Sequence, residues 1–184
     1  AEKQNRKLPA DNAGDLSRIL VVDGKVKNLE EYLERFEITL SVLQEPTALK
    51  RAAFELAEDC WQDGVRYLEV RYSPILHTQK GMTISESVDA VKKGLEQAEM
   101  EFGIITGIII CGIRNISPES SLKLADLAVQ YKNRGVVGFD LAGAEENFPA
   151  KEHREAFYVI QNNNINSTIH AGEEFGPESI HQAI

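Results

Sequence analysis

Tyr67-Leu68-Glu69-Val70-Arg71-Tyr72-Ser73 alternates with a period of two. On a strand that period puts Tyr67, Glu69, Arg71 and Ser73 on one face, and Leu68 and Val70 on the other. One face is thus apolar and the other carries a carboxylate and a guanidinium. In a doubly wound sheet helices cover both faces, and an arginine or aspartate buried there is costly. In a barrel the outward faces pack under helices, while the inward faces carry chemistry at the C-terminal rim. The stretch therefore predicts a barrel strand, read as Val65 to Tyr72.

The same reading extends in both directions. Strands are expected over Ile104 to Ile113, Val136 to Leu141 and Ser167 to Ala171. They recur at roughly 30 to 40 residues, the rhythm of βαβ units and a parallel sheet. Arg114 closes the face carrying Ile108 and Ile110, Asp140 closes the face carrying Val136 and Gly138, and His170 shares a face with Thr168. The opposite faces hold Leu68, Val70, Ile109, Val137, Phe139 and Ile169, suited to packing under helices.

Helices fill the intervals. Leu29, Leu33, Phe36, Leu40 and Leu43 recur at helical spacing after a turn at Asp23-Gly24. A second helix runs from Pro46 to Gln62 and stops at Gly64. Thr83-Ile84-Ser85-Glu86 is a capping box that opens a helix to about Phe102. Ser117-Pro118 opens another to about Tyr131. Lys151 to about Asn163 and a segment from Pro177 complete the set. The expected fold class is α/β, a (β/α)8 TIM barrel present as a partial barrel. Four strands fall short of the eight that close such a barrel, so further strands are expected on both sides. Residues 1–184 read as one domain, without linker or low-complexity tract.

Composition narrows the function. The chain has 184 residues, 42% of them hydrophobic, and a formal net charge of −9. That charge repels a phosphate backbone and argues against nucleic acid as a partner. No apolar run approaches the roughly 18 residues of a membrane span, and no leader pattern opens the sequence, so no membrane is expected. Cys60 and Cys111 lack zinc-finger spacing and read as reduced thiols in a cytoplasmic protein. The nucleotide-binding, zinc-protease and serine-hydrolase motifs are missing, as is the H-x-E with P-C-x-x-C pattern of cytidine deaminases.

Thr168-Ile169-His170-Ala171-Gly172-Glu173 is the sharpest chemical signal. A histidine ends a strand, and a carboxylate follows across a glycine turn. A neutral imidazole binds zinc well, and an acid on the same rim could pass a proton while a metal activates water. Spacing alone leaves open a satisfied core histidine and a helix-start charge. In Asp140-Leu141-Ala142-Gly143 an acid ends a strand, and Gly143 leaves room for a ligand near the backbone. Glu69, Arg71 and Arg114 read best as a structural ion-pair network. Ser73-Pro74 reads as a rim element. His77 falls in a loop, His153 on a solvated helix face and His181 in the last helix.

Taken together, Leu68-Glu69-Val70-Arg71-Tyr72-Ser73-Pro74, Asp140-Leu141-Ala142-Gly143 and His170-Ala171-Gly172-Glu173, followed by Gly176-Pro177-Glu178-Ser179-Ile180, resemble the adenosine deaminase family, in its bacterial style. The resemblance runs from about Leu8-Pro9 to Ile184. It implies that these are the second to fifth strands of the barrel. It also implies one catalytic Zn2+, with His170 as a ligand, Glu173 as the acid that protonates purine N1 during hydrolysis at C6, and the Gly143 backbone against the purine ring. The substrate would be a small purine nucleoside, adenosine or 2'-deoxyadenosine, in purine salvage. Sibling deaminases of adenine, adenine nucleotides or N6-substituted adenines are the alternative, as is a non-catalytic truncated chain. The family's first-strand H-x-H, its later histidine and its last-strand aspartates have no match here. His170 alone cannot hold a catalytic zinc, which takes about three protein ligands. Asn115 stands where some relatives carry histidine, and Ala144 replaces an acid with little expected effect.

Overall fold

A computed structural model describes residues 7–21 and 29–184. The turn expected at Asp23-Gly24 lies outside them. Helix α1 (Ala13–Leu20) opens on Asn12, whose side chain accepts the Asp15 N–H at 2.9 Å. The apolar spacing from Leu29 to Leu43 predicts one helix, but two form, α2 (Leu29–Glu34) and α3 (Phe36–Val42). The break is at Arg35. Its N–H bonds Tyr32 O, three residues back, at 3.2 Å, and its guanidinium donates to Ile19 O at 2.7 Å.

From α4 (Pro46–Gln62) onward strand and helix alternate. Strands β1 (Tyr67–Tyr72), β2 (Ile105–Ile113), β3 (Val136–Ala142) and β4 (Asn166–Ser167) are separated by α5 (Ile84–Phe102), α6 (Pro118–Gln130) and α7 (Arg154–Asn162). A further helix, α8 (Pro177–Ala183), follows β4. Both expected start signals are present. Thr83 and Glu86 exchange hydrogen bonds at the head of α5, and the Ser117 hydroxyl accepts the Ser120 N–H at the head of α6. Gly103 ends α5 at φ 73°, the left-handed conformation that favours glycine.

The four strands are parallel and stand in sequence order, β1-β2-β3-β4. A doubly wound sheet reverses its order at a switch point, whereas a barrel keeps it. The sheet is thus part of a (β/α)8 barrel. The core lies on one face only, where Ile108, Ile110, Val136 and Phe139 meet Val88, Leu95, Leu124 and Ile160 from the helices. Leu68, Val70 and Tyr72 join that layer, as the alternation in β1 predicts. The opposite face, with Tyr67 55% and Ile105 62% exposed, has no second layer among the described residues.

Two face assignments differ from expectation. The sequence pattern puts Ile108 and Ile110 of β2 inward with Arg114, yet they pack under the helices, and Ile109 shares the inward face with Arg71. β2 is apolar on both faces, and Arg114 lies past its end, so it does not report the strand's phase. In β3, strict alternation puts Val136 with Asp140 and Val137 under the helices. The register shifts between Ile108 and Ile109, which pair with Val136 and Gly138. Val137 is therefore a bulge residue, and it crowds the inward side of Gly107. The bulge changes the phase of the strand, so Val136 and Phe139 both face the helices while Asp140 faces inward.

β4 is shorter than the expected Ser167 to Ala171, yet the Thr168 and His170 N–H groups still bond Phe139 O and Leu141 O, at 3.0 and 2.9 Å. The pairing reaches His170 from one side only, because β4 is the edge of the sheet described here.

Candidate active site

Asp140 is the centre of the inward rim. Its side chain is 0% exposed, and both of its oxygens meet polar groups. Oδ1 accepts the Thr168 hydroxyl at 2.8 Å. Oδ2 takes Arg71 Nη1 at 3.0 Å and His170 Nδ1 at 2.9 Å, and the Cys111 thiol lies 3.6 Å away. Four strand ends converge on this carboxylate, which explains how a buried acid is tolerated. Burial, followed by the nearby Asp140 charge, pushes the Cys111 thiol up to about 12, so it stays protonated.

His170 is held through Nδ1. With its proton there, the ring donates to Asp140, and Nε2 has no partner among the described residues. The side chain is 36% exposed and lines an open hollow of about 390 Å3 over Thr168 to Glu173. Glu173 reaches the same hollow across Gly172, whose φ of 84° and close approach to Ile180 of α8 both exclude a side chain. Gly143 ends β3 at φ 101°, where an added Cβ would lie 2.8 Å from Asn115 Oδ1. The residues predicted from sequence, His170, Glu173, Asp140 and Gly143, thus all lie at the C-terminal ends of β3 and β4. Among the described residues no group of three or more His, Cys, Asp or Glu could hold a metal.

Glu69, Arg71 and Arg114 do not pair with one another. Glu69 accepts the Tyr67 hydroxyl at 2.6 Å, and Arg71 pairs with Asp140. Arg114 is buried with Glu145, 4.0 Å away, each side chain 1% exposed. Arg114 Nη2 donates to His170 O. Glu145 accepts the N–H groups of Glu174 and Phe175 at 3.0 and 2.9 Å. Burial works against the Glu145 charge, but the Phe175 and Glu174 N–H groups outweigh it and hold the carboxyl below its usual range.

His153 is not on a solvated face. It is 2% exposed, with Nδ1 2.8 Å from Ser121 Oγ and Nε2 3.2 Å from Arg114 O. Its charged neighbours conceal an apolar stripe at helical spacing, Ala150, His153, Phe157 and Ile160, and that stripe was the available signal. His77 is likewise buried, on a short turn Pro74–His77, against Leu43 O at 2.8 Å. His181 is exposed on α8. Glu145 has no comparable signal, because Glu145-Glu146 looks like any acidic loop.

The adenosine deaminase family model matches residues 1–184. A probable adenosine deaminase of Dictyostelium discoideum is 41% identical over 184 residues, covering 100% of this chain and 24% of that protein. The adenosine deaminase of Mycobacterium ulcerans is 41% identical over 182 residues, covering 96% of the chain and 50% of its own length. The chain spans half or less of these curated relatives. Among solved structures, an adenine deaminase from Arthrobacter aurescens superposes with a TM-score of 0.87 at 24% identity, over 100% of this chain and 54% of that one. An amidohydrolase from Burkholderia ambifaria with bound Zn superposes at 0.84 with 20% identity, over 100% and 50%. At these identities the two structures bear on the fold.

Proposed function

This chain belongs to the adenosine deaminase family, and from that premise we propose that the polypeptide carrying it hydrolyses adenosine, and 2'-deoxyadenosine, to inosine or its deoxy form and ammonia. The observation that supports this most is the pairing of His170 with Glu173 on one rim, with His170 Nδ1 fixed 2.9 Å from Asp140. We place the reaction in purine salvage in the cytoplasm, and read the chain as one partial-barrel domain.

His170 fits a zinc ligand. A buried carboxylate that takes Nδ1–H fixes the ring and leaves Nε2 to the metal, the usual arrangement around metal-bound histidines. The other ligands would come from outside the described residues. Zinc held there would make a water molecule acidic enough to attack at neutral pH.

The chain's own residues supply the rest. Glu173 holds a proton at the rim and passes it to purine N1 as water adds at C6. The C6–N6 bond then breaks as C6=O forms, and the amino group leaves as ammonia with a proton from the added water. The Gly143 backbone, with no side chain in the way, lies against the purine ring. The inward cation Arg71 is already engaged by Asp140, so it is poorly placed to bind a substrate phosphate. That favours the nucleoside over adenine nucleotides.

The test is a substrate panel on the complete polypeptide, with zinc content measured in parallel. Adenosine should be turned over best, with one zinc per site. Preference for adenine, AMP or an N6-substituted adenine would move the assignment to a sibling activity. Absence of both zinc and turnover would make the chain non-catalytic.

A further inference from the structure

We infer that the buried Arg114–Glu145 pair positions the Glu173 segment, and that these two residues set turnover rather than substrate affinity. This deepens the deaminase reading and rests on Glu173 acting as the acid. Glu173 itself is exposed and sits in a short arch, Ala171 to Glu173. Nothing in the arch is regular secondary structure. Its two feet are nevertheless pinned, one by each member of the pair.

On the near side, Arg114 Nη2 donates to His170 O, and Nη1 reaches Phe148 O at 3.4 Å. On the far side, Glu145 Oε2 accepts the Glu174 and Phe175 N–H groups at 3.0 and 2.9 Å. His153 Nε2 steadies the Arg114 carbonyl at 3.2 Å. The acid and the base are 4.0 Å apart and do not hydrogen-bond directly. Arg114 Nη2 and Glu145 Oε2 bond the two feet of the arch instead, while Arg114 Nε and Glu145 Oε1 have no hydrogen-bond partner among the described residues. A pair meant only to neutralise itself would close the fork, because a buried ion pair gains little otherwise. Here the opposite charges hold each other in the interior and present one strong donor and one strong acceptor to backbone groups on either side of Glu173.

The orientation follows from chain connectivity. Gly172 supplies the turn at φ 84°, and the pinned feet leave the arch few ways to move. Misplacing a catalytic group by about 1 Å can lower a rate about 100-fold. His170 is bonded through its ring to Asp140 and would keep its place when Glu145 is altered. The two functions of the rim are therefore separable by mutation.

The experiment compares wild type, Glu145→Gln and Glu145→Asp in the complete polypeptide. Gln keeps the size and one acceptor oxygen for the Glu174 and Phe175 N–H groups but removes the charge, which weakens those bonds and leaves Arg114 without its buried counter-charge. Kinetics and amide hydrogen exchange of the segment 171–176 are read together, with α5 as the internal control of folding. We expect Glu145→Gln to lower kcat about 10- to 100-fold, with adenosine KM and zinc content within about threefold and faster exchange confined to 171–176. Glu145→Asp, which keeps the charge, should recover part of kcat. If Gln fails to fold, as slow α5 exchange is lost, Asp carries the comparison alone. Unchanged exchange in 171–176 overturns the clamp. Faster exchange with unchanged kcat overturns its role in turnover. A wild type without adenosine turnover would count against the deaminase reading, and exchange would still decide the clamp.

Discussion

His170 Nδ1 and Asp140 Oδ2 lie 2.9 Å apart, and the same oxygen carries the ion pair with Arg71. One carboxylate from β3 thus ties the ends of β1 and β4 together and fixes the imidazole that the proposed metal would use. Its own side chain is fully buried while the ring remains partly open.

Asp140→Asn should therefore weaken zinc binding before it weakens the fold. An outer partner of a metal-bound histidine is worth about 10- to 100-fold in affinity. Competition with a chelator in the complete polypeptide measures it. His170→Ala should lose the metal altogether. Full zinc occupancy in that variant would remove His170 from the ligand set.

Glu173→Gln keeps the shape of the acid but cannot pass a proton. Turnover of adenosine should fall by about 100- to 10,000-fold, with zinc retained. Wild-type turnover in the variant would rule out Glu173 as proton donor.

Gly94→Ala tests the packing of α4 on α5. An added Cβ would sit 2.2 Å from Lys50 O and 3.0 Å from Ala53 Cβ. Alanine gains up to about 1 kcal/mol of helix propensity, but backbone cannot yield as a side-chain tip does. The expected net loss is about 1–3 kcal/mol, read from denaturant midpoints. A higher midpoint would mean that the helices can separate at no cost.

His153 makes stability fall with acid. Burial, opposed by the hydrogen bond to Arg114 O, lowers its pKa from 6.5. The unfolded chain then takes up a proton near pH 6.5 that the folded chain refuses. Its contribution is present above that pH and is lost as pH falls towards the lowered folded value. His77 is lowered in the same direction by burial. Thermal midpoints should drop between pH 7 and 5, and less steeply in His153→Asn. Parallel slopes in the two proteins would remove His153 as a source of the effect.

The barrel class, the parallel order and the ends of most elements were legible because they are local. The Thr83 capping box, the Ser117-Pro118 start and the alternation in β1 each speak through neighbours in the chain. Asp140 and His170 were legible as strand-end residues. Their mutual bond was not, because it joins residues 30 apart through a register that no local pattern encodes. The face of β2 was lost for the opposite reason, since an all-apolar strand has no polar beat to set its phase. His153 was misread because Lys151, Glu152, Arg154 and Glu155 around it outvoted a stripe spaced by threes and fours. Glu145 took on meaning only once the loop after β4 had been laid over it.

The bulge at Val137 separates the two duties of β3. Before it, the strand answers to the helices; after it, the strand answers to the rim. Without the extra residue, Val136 and Asp140 would share one face, and either the hydrophobic layer would lose a member or the acid would be buried beneath α6 and α7.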